Sequence, residues 1–210
     1  DDGHGTHVAG TIAQASDNET GCAGLAYRAC VMPVKVLNDS GIGTFADIAE
    51  GIYWAVDNGA DVINMSLGVD AQYGMTNDAI LDPALDYAYN NGVTVVAASG
   101  NDGSTDNVSY PAIYPTCIAV GATDYLNGVT AYSNKGTGLD LVAPGGDLSA
   151  DENGDGQVDG ILQEMFHDGS WGYYFSEGTS MAAPHVAAAA AMLITYGTAI
   201  TPDEIFTALS

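Results

Sequence analysis

Basic residues are nearly missing from this chain. Arg28, Lys35 and Lys135 stand against 27 acids in 210 residues, a formal net charge of -24. So few cations exclude nucleic acid and anionic membranes as partners, because nothing could neutralise rows of phosphates. Cysteine is also scarce, limited to Cys22, Cys30 and Cys117. The three allow one bridge plus a free thiol, most simply Cys22 with Cys30, or three small buried apolar residues. Their spacing offers no zinc site. No apolar run is long enough to cross a bilayer. No signal segment is visible, although a chain starting inside a domain could not show one.

Apolar side chains are not lacking. They make up 47% of the residues, enough for the core of one domain. The acid excess fits solubility at high salt, where screening removes self-repulsion, and it fits calcium binding by some of the carboxylates. We expect both.

The chain is organised around Gly178-Thr179-Ser180-Met181-Ala182-Ala183-Pro184-His185-Val186. The run Ala187 to Ala191 follows, then Met192-Leu193-Ile194, apolar all round, which predicts a helix buried on every side. Pro184 is expected near its first turn, where a missing N–H costs least. Ser180 then lies at the start of the helix, in the positive end of its dipole, where developing negative charge is favoured. Most serines so placed only cap a helix. As a nucleophile, Ser180 needs a base.

A candidate base stands at the other end, in Asp1-Asp2-Gly3-His4-Gly5-Thr6-His7-Val8-Ala9-Gly10. A histidine between glycines can approach another backbone closely, as an imidazole serving a serine must. His4-Gly-Thr-His-Val-Ala-Gly resembles the histidine motif of the subtilisin-like serine proteases, and Gly178-Thr-Ser-Met-Ala-Ala-Pro-His resembles their serine motif. Between them, Ala97-Ala98-Ser99-Gly100-Asn101-Asp102-Gly103 is similar to the segment carrying their oxyanion asparagine. Met32 to Leu37 and Val62 to Gly68 extend the likeness along nearly the whole chain.

The resemblance implies a three-layer α/β/α fold with a mostly parallel central sheet. It implies Ser180 as nucleophile, His4 as general base then acid, and Asn101 as oxyanion donor. His7 and His185 lie inside the motifs but do not match the catalytic position, so structural roles are expected; His167 is expected at the surface. The family order is Asp, His, Ser. Asp1 and Asp2 are too close to His4 to be the triad aspartate. Residues 1–210 are therefore expected to form a partial peptidase domain, truncated at both ends and nearly inactive alone, since losing the orienting carboxylate costs about 10⁴-fold in kcat.

The resemblance also implies substrate contacts. Gly41, Ile42 and Gly43 would lie along the substrate backbone as an edge strand. Phe45 would wall the pocket four residues before the cleaved bond. Ser66, Leu67, Gly68, Gly100 and Ala112 would line the primary pocket, which carries no fixed charge and suits a medium or large apolar side chain. The loop Ser16 to Cys22 resembles the family's calcium loop, with Asn18, Thr20 and Cys22 as ligands.

Alternation of apolar runs predicts strands over Val31–Leu37, Val62–Ser66, Val93–Ala98 and Cys117–Ala122, interleaved with helices over Thr44–Asn58 and Thr76–Asn91. Thr44 can cap the first helix. Thr201, Pro202 and Glu204 form a capping box. Asp151, Asn153, Asp155, Gln157 and Asp159 place oxygens at positions 1, 3, 5, 7 and 9 of a calcium-type loop, with Gly156 at position 6. Position 12 is Leu162, so Glu164 is the candidate substitute; a solvated acidic loop is the alternative. These features predict a secreted, monomeric, calcium-stabilised endopeptidase acting on protein or peptide substrates. A degenerate binding domain and an esterase are the alternatives, although an esterase would place its serine in Gly-x-Ser-x-Gly, whereas Ala182 stands at that second position.

Overall fold

The computed structural model describes residues 3–210; Asp1 and Asp2 lie outside the described residues. Its centre is a four-stranded sheet of β1 (Val62–Met65), β2 (Thr94–Ala98), β3 (Cys117–Thr123) and β4 (Leu141–Pro144), in that order and all parallel. Every residue of β2 and β3 is buried, as continuous Val, Ile and Ala runs require when a sheet is covered on both faces.

Strand alternation sorts the core into two layers. Met65, Val95, Ala97, Cys117 and Ala119 pack under α2 (Phe45–Asp57) and α3 (Asp82–Asn90). Val96, Ala98, Ile118, Val120, Ala122 and Ala143 pack under α4 (Thr179–Thr195) and α5 (Pro202–Leu209). Helices on both faces of a parallel sheet give the three-layer α/β/α architecture. The capping box expected at Thr201 and Glu204 forms, and the cap expected at Thr44 closes as a second box with Asp47.

The helix expected from Thr76 starts instead at Asp82. Pro83 has no N–H for the carbonyl of Ala79, so it fits only a first turn. Asp78 closes the approach by accepting from the N–H groups of Ile80 (2.8 Å) and Leu81 (2.9 Å).

Val31–Leu37 is not a buried strand. Its backbone joins no ladder among the described residues, Val31 is 45% exposed, and Val34 and Val36 rest against α2 at Gly51. β1 is the sheet edge on that side.

An unexpected antiparallel hairpin joins β5 (Ile161–His167) to β6 (Ser170–Ser176). Asp168 and Gly169 turn it, both with positive φ (49° and 80°), the two-residue geometry that matches strand twist. The hairpin packs on α1 (His4–Ala13). Gly3 caps the start of the helix, with φ 81°, where a Cβ would stand 2.2 Å from the carbonyl oxygen of Phe166. No side chain fits there.

α4 also departs from expectation. It is buried as far as Ala190, but Met192 and Thr195 are exposed. Pro184 is its sixth residue rather than part of the first turn.

Candidate active site

In parallel sheets, loops at the carboxyl ends of the strands gather the chemistry. Here Ser66 follows β1 and Ser99-Gly100-Asn101 follows β2. The start of α4 meets them there. Thr179, fully buried, is the joint: its N–H and its hydroxyl both donate to Asn101 Oδ1, each at 2.9 Å. A backbone N–H can only donate, so the asparagine atom facing it must be the oxygen. The Thr179 hydroxyl accepts in turn from the Gly100 N–H at 3.1 Å.

With Oδ1 anchored, Asn101 Nδ2 makes no hydrogen bond among the described residues, and neither does the Ser180 N–H. The next two amides, Met181 and Ala182, both turn back to the Gly178 carbonyl (3.0 and 3.3 Å). Two donors at a helix start form an anion-binding arrangement.

A buried asparagine, Asn134, supports the loop under Asn101. Its Oδ1 accepts from Asp102 N–H (3.0 Å) and Ser104 N–H (2.9 Å), and its Nδ2 donates to Asp102 Oδ2 (2.9 Å) and Ser109 Oγ (3.3 Å). Gly100 has φ 101°, and a Cβ there would stand 2.1 Å from Ser109 Oγ. Tyr132 ties down Gly178, donating to the Gly146 carbonyl (2.7 Å) and accepting from the Gly178 N–H (3.2 Å). The sequence reading assigned nothing to Asn134 or Tyr132 and gave Thr179 no separate role. Only Thr179, inside the serine motif, carried a signal.

Ser180 is half-buried, and its hydroxyl donates weakly to the Ser66 carbonyl at 3.5 Å. His4, also half-buried, opens α1, which packs directly on α4. His7 is fully buried, with Nε2 against the carbonyls of Ile161 (3.0 Å) and Tyr174 (3.3 Å), and it ties α1 to the hairpin. Burial lowers its pKa, and the nearby His4 charge adds to that. His185 lies inside α4 with Nδ1 on the Met181 carbonyl (2.8 Å), its pKa also lowered by burial. His167 is at the surface beside Asp168.

The expected pocket segments adjoin one another. The Val69 N–H donates to the Tyr110 carbonyl (2.8 Å) and the Ser109 N–H to the Ser99 carbonyl (2.8 Å), so Ser66-Leu67-Gly68, Gly100 and the 109–112 segment run together. Ala112, however, is closed into the core rather than lining an open surface. Phe45 stands edge-on to Tyr110 at 5.8 Å. Gly41, Ile42 and Gly43 form no strand. Gly41 and Ile42 lie within a turn closed by Asn38, whose N–H donates to the Ile42 carbonyl (2.9 Å) and whose Oδ1 accepts from Ser40 and Ile42 (2.9 and 3.1 Å), and Gly43 follows it.

The metal candidates are mixed. Asp151, Asn153 and Asp155 each accept from backbone N–H groups further along, curling the loop as the first half of a calcium loop requires. Asp159 turns inward to Glu152 N–H and Asn153 Nδ2. Glu164 does not close the loop: it pairs with Tyr173 in the hairpin and lines a hollow against Thr6, Ala9 and Gln14 of α1 and its end. Leu162 pairs with Phe175. In the other loop, Asn18 Oδ1 accepts from Thr20 N–H at 3.2 Å, and Cys22 is half-buried. Among the described residues, no group of three or more His, Cys, Asp or Glu is gathered as a metal cluster. All three cysteines are free, so Cys22 and Cys30 are not bridged.

Ser180, Asn101 and Thr179 thus meet at the start of α4, where hydroxyl and N–H groups face the carboxyl ends of β1 and β2. The family model of the subtilase family matches residues 1–209, and the chain belongs to that family. It is 41% identical over 211 residues to subtilisin DY of Bacillus licheniformis, spanning 99% of this chain and 69% of that protein. It is 42% identical over 194 residues to a thermophilic serine proteinase of a Bacillus species, spanning 92% of this chain and 43% of that one. A solved structure among proteases from Pseudoalteromonas arctica superposes with TM-score 0.87 at 39% identity, covering 97% of this chain and 62% of that one. The chain thus spans 43% to 69% of these relatives' lengths.

Proposed function

We propose that these residues form the catalytic portion of a serine endopeptidase. Ser180 Oγ attacks the scissile carbonyl while His4 takes its proton. The oxyanion that forms is met by Asn101 Nδ2 and the Ser180 N–H. As the tetrahedral intermediate collapses, the C–N bond breaks and His4 returns the proton to the leaving amine. Water then attacks the acyl-serine with His4 again as base, releasing the acid and restoring the hydroxyl.

One observation carries this reading. Thr179 spends both its donors on Asn101 Oδ1, so that Nδ2 and the Ser180 N–H both remain unspent where Asn101 meets the start of α4. Substrates are protein or peptide chains, with an apolar residue entering beside Ser66-Leu67-Gly68 and Gly100, and Ile42 and Phe45 meeting residues further along. The enzyme works as a secreted monomer; among the described residues, no helix is long and apolar enough to cross a membrane.

The test is hydrolysis of an apolar peptide anilide by the intact protein. We expect activity that Ser180→Ala removes; activity that survives it refutes the assignment. Calcium held at Asp151, Asn153 and Asp155, with Gln157 at the same loop, would serve stability rather than chemistry. Asp155→Ala should then lower Tm in calcium but not in EDTA, and equal loss in both defeats it.

A further inference from the structure

Pro184 leaves a gap in α4. As the sixth residue of the helix, it would ordinarily donate its N–H to the carbonyl four residues back, and that carbonyl belongs to Ser180. Proline has no N–H, so the main chain of the proposed nucleophile loses its helical bond.

Another element fills the vacancy. Ser66 Oγ, just past the end of β1, donates to the Ser180 carbonyl at 2.8 Å. The direction of that bond is fixed from behind, because Asn64 Nδ2 donates to Ser66 Oγ at 3.0 Å. An amide N–H can only donate, so the serine proton points onward to Ser180. Asn64 pairs with Val96, whose side chain lies on the α4 face. Strand alternation therefore turns both Asn64 and Ser66 towards α4. The contact is reciprocal, since Ser180 Oγ reaches the Ser66 carbonyl at 3.5 Å.

We propose that the Ser66 hydroxyl is a positioning residue for the nucleophile: it caps the Ser180 carbonyl that Pro184 leaves open and so holds the Ser180 backbone in register with the base. This goes beyond Ser66 as a pocket wall, which uses its backbone. It rests on Ser180 being the nucleophile. A proline here frees Ser180 from the helix ladder, and a side chain from the sheet sets its place instead. Misplacing a reacting atom by small amounts is costly in rate.

The test is a cycle of Ser66→Ala, Pro184→Ala and the double variant in the intact protein. Fluorophosphonate titration counts working sites, and kcat and KM are read on a peptide anilide. Ser66→Ala should lower kcat about three- to tenfold, the size of one neutral hydrogen bond, with KM within about twofold. Pro184→Ala restores an N–H to the Ser180 carbonyl. In that background the Ser66→Ala loss should shrink to less than about twofold. Ser66→Thr keeps the hydroxyl and should retain at least about half the wild-type kcat.

A loss from Ser66→Ala that is the same with and without Pro184 overturns the inference. So does a loss confined to KM, which would leave Ser66 a pocket wall only, or a Ser66→Thr variant as impaired as Ser66→Ala. If the wild-type protein takes up no phosphonate, the nucleophile assignment falls first and this inference with it. Normal labelling with an additive cycle overturns the inference alone.

Discussion

Thr179→Val is the most informative perturbation outside the reacting groups. Valine has the same shape, and the site is fully buried, so packing is conserved while the hydroxyl goes. The Gly100 N–H then loses its acceptor at 3.1 Å; a buried donor without a partner costs about 1–3 kcal/mol. One of the two bonds to Asn101 Oδ1 goes as well, worth about 0.5–1.5 kcal/mol. Methyl burial offsets part of this, leaving a net destabilisation of about 2 kcal/mol. For a chain of this size that lowers Tm by about 4–8 °C. In catalysis, the Thr179 N–H alone then orients the Asn101 amide. Complete loss of such a donor costs about 10²–10³ in kcat, the measured case being a subtilisin, of this same family. Loosening it should cost about tenfold, in kcat rather than KM. Calorimetry and steady-state kinetics on the intact protein read both effects. An unchanged kcat with the expected fall in Tm would refute the claim that Thr179 sets the oxyanion donor.

Gly100→Ala should disable the same loop from below. At φ 101° with Ser109 Oγ 2.1 Å from the added Cβ, strain of about 1–3 kcal/mol is expected, and wild-type stability would disprove the geometry. Among the thiols, exposed Cys30 should alkylate first and half-buried Cys22 more slowly, its thiol raised by burial. Buried Cys117, raised further, should react only on unfolding; a native protein labelled at Cys117 contradicts this. Acid stability should report the buried histidines. His7 and His185 are held below their usual value near 6.5 by burial, so the unfolded chain takes up protons first as pH falls. Stability should decline below about pH 6.5, by up to about 1.4 kcal/mol per unit for each, and level off beneath the folded values. His7 has the clearer cause, since its Nδ1 is buried without a partner and a proton there has nowhere to bond. A His7→Gln variant with an unaltered slope between pH 5 and 7 would remove that contribution.

Features set by neighbours in sequence could be read directly. The cap at Thr44 and the capping box at Thr201 are local, and the runs in β2 and β3 are apolar because both sheet faces are covered. Val31–Leu37 shows the limit: an apolar run reports that it rests on something, here α2, but not that its backbone finds a ladder. The hairpin carried a readable signal in Asp168-Gly169, but its strands mix Gln163 and Glu164 with apolar residues, which obscured the period. Pro184 was expected in the first turn, because sequence alone does not reveal that Ser66 could take over its missing bond. The burial of Asn134 depends on which loops converge on it. No one-dimensional pattern reports that convergence.

The central claim is that an imidazole at the start of α1 serves a hydroxyl at the start of α4. Its most direct measurement is the rate of fluorophosphonate modification in the intact protein, mapped by mass spectrometry. We expect stoichiometric modification on Ser180, slowed at least about a thousandfold by His4→Ala. Modification of Ser180 at an undiminished rate without His4, or modification of another serine, would contradict it.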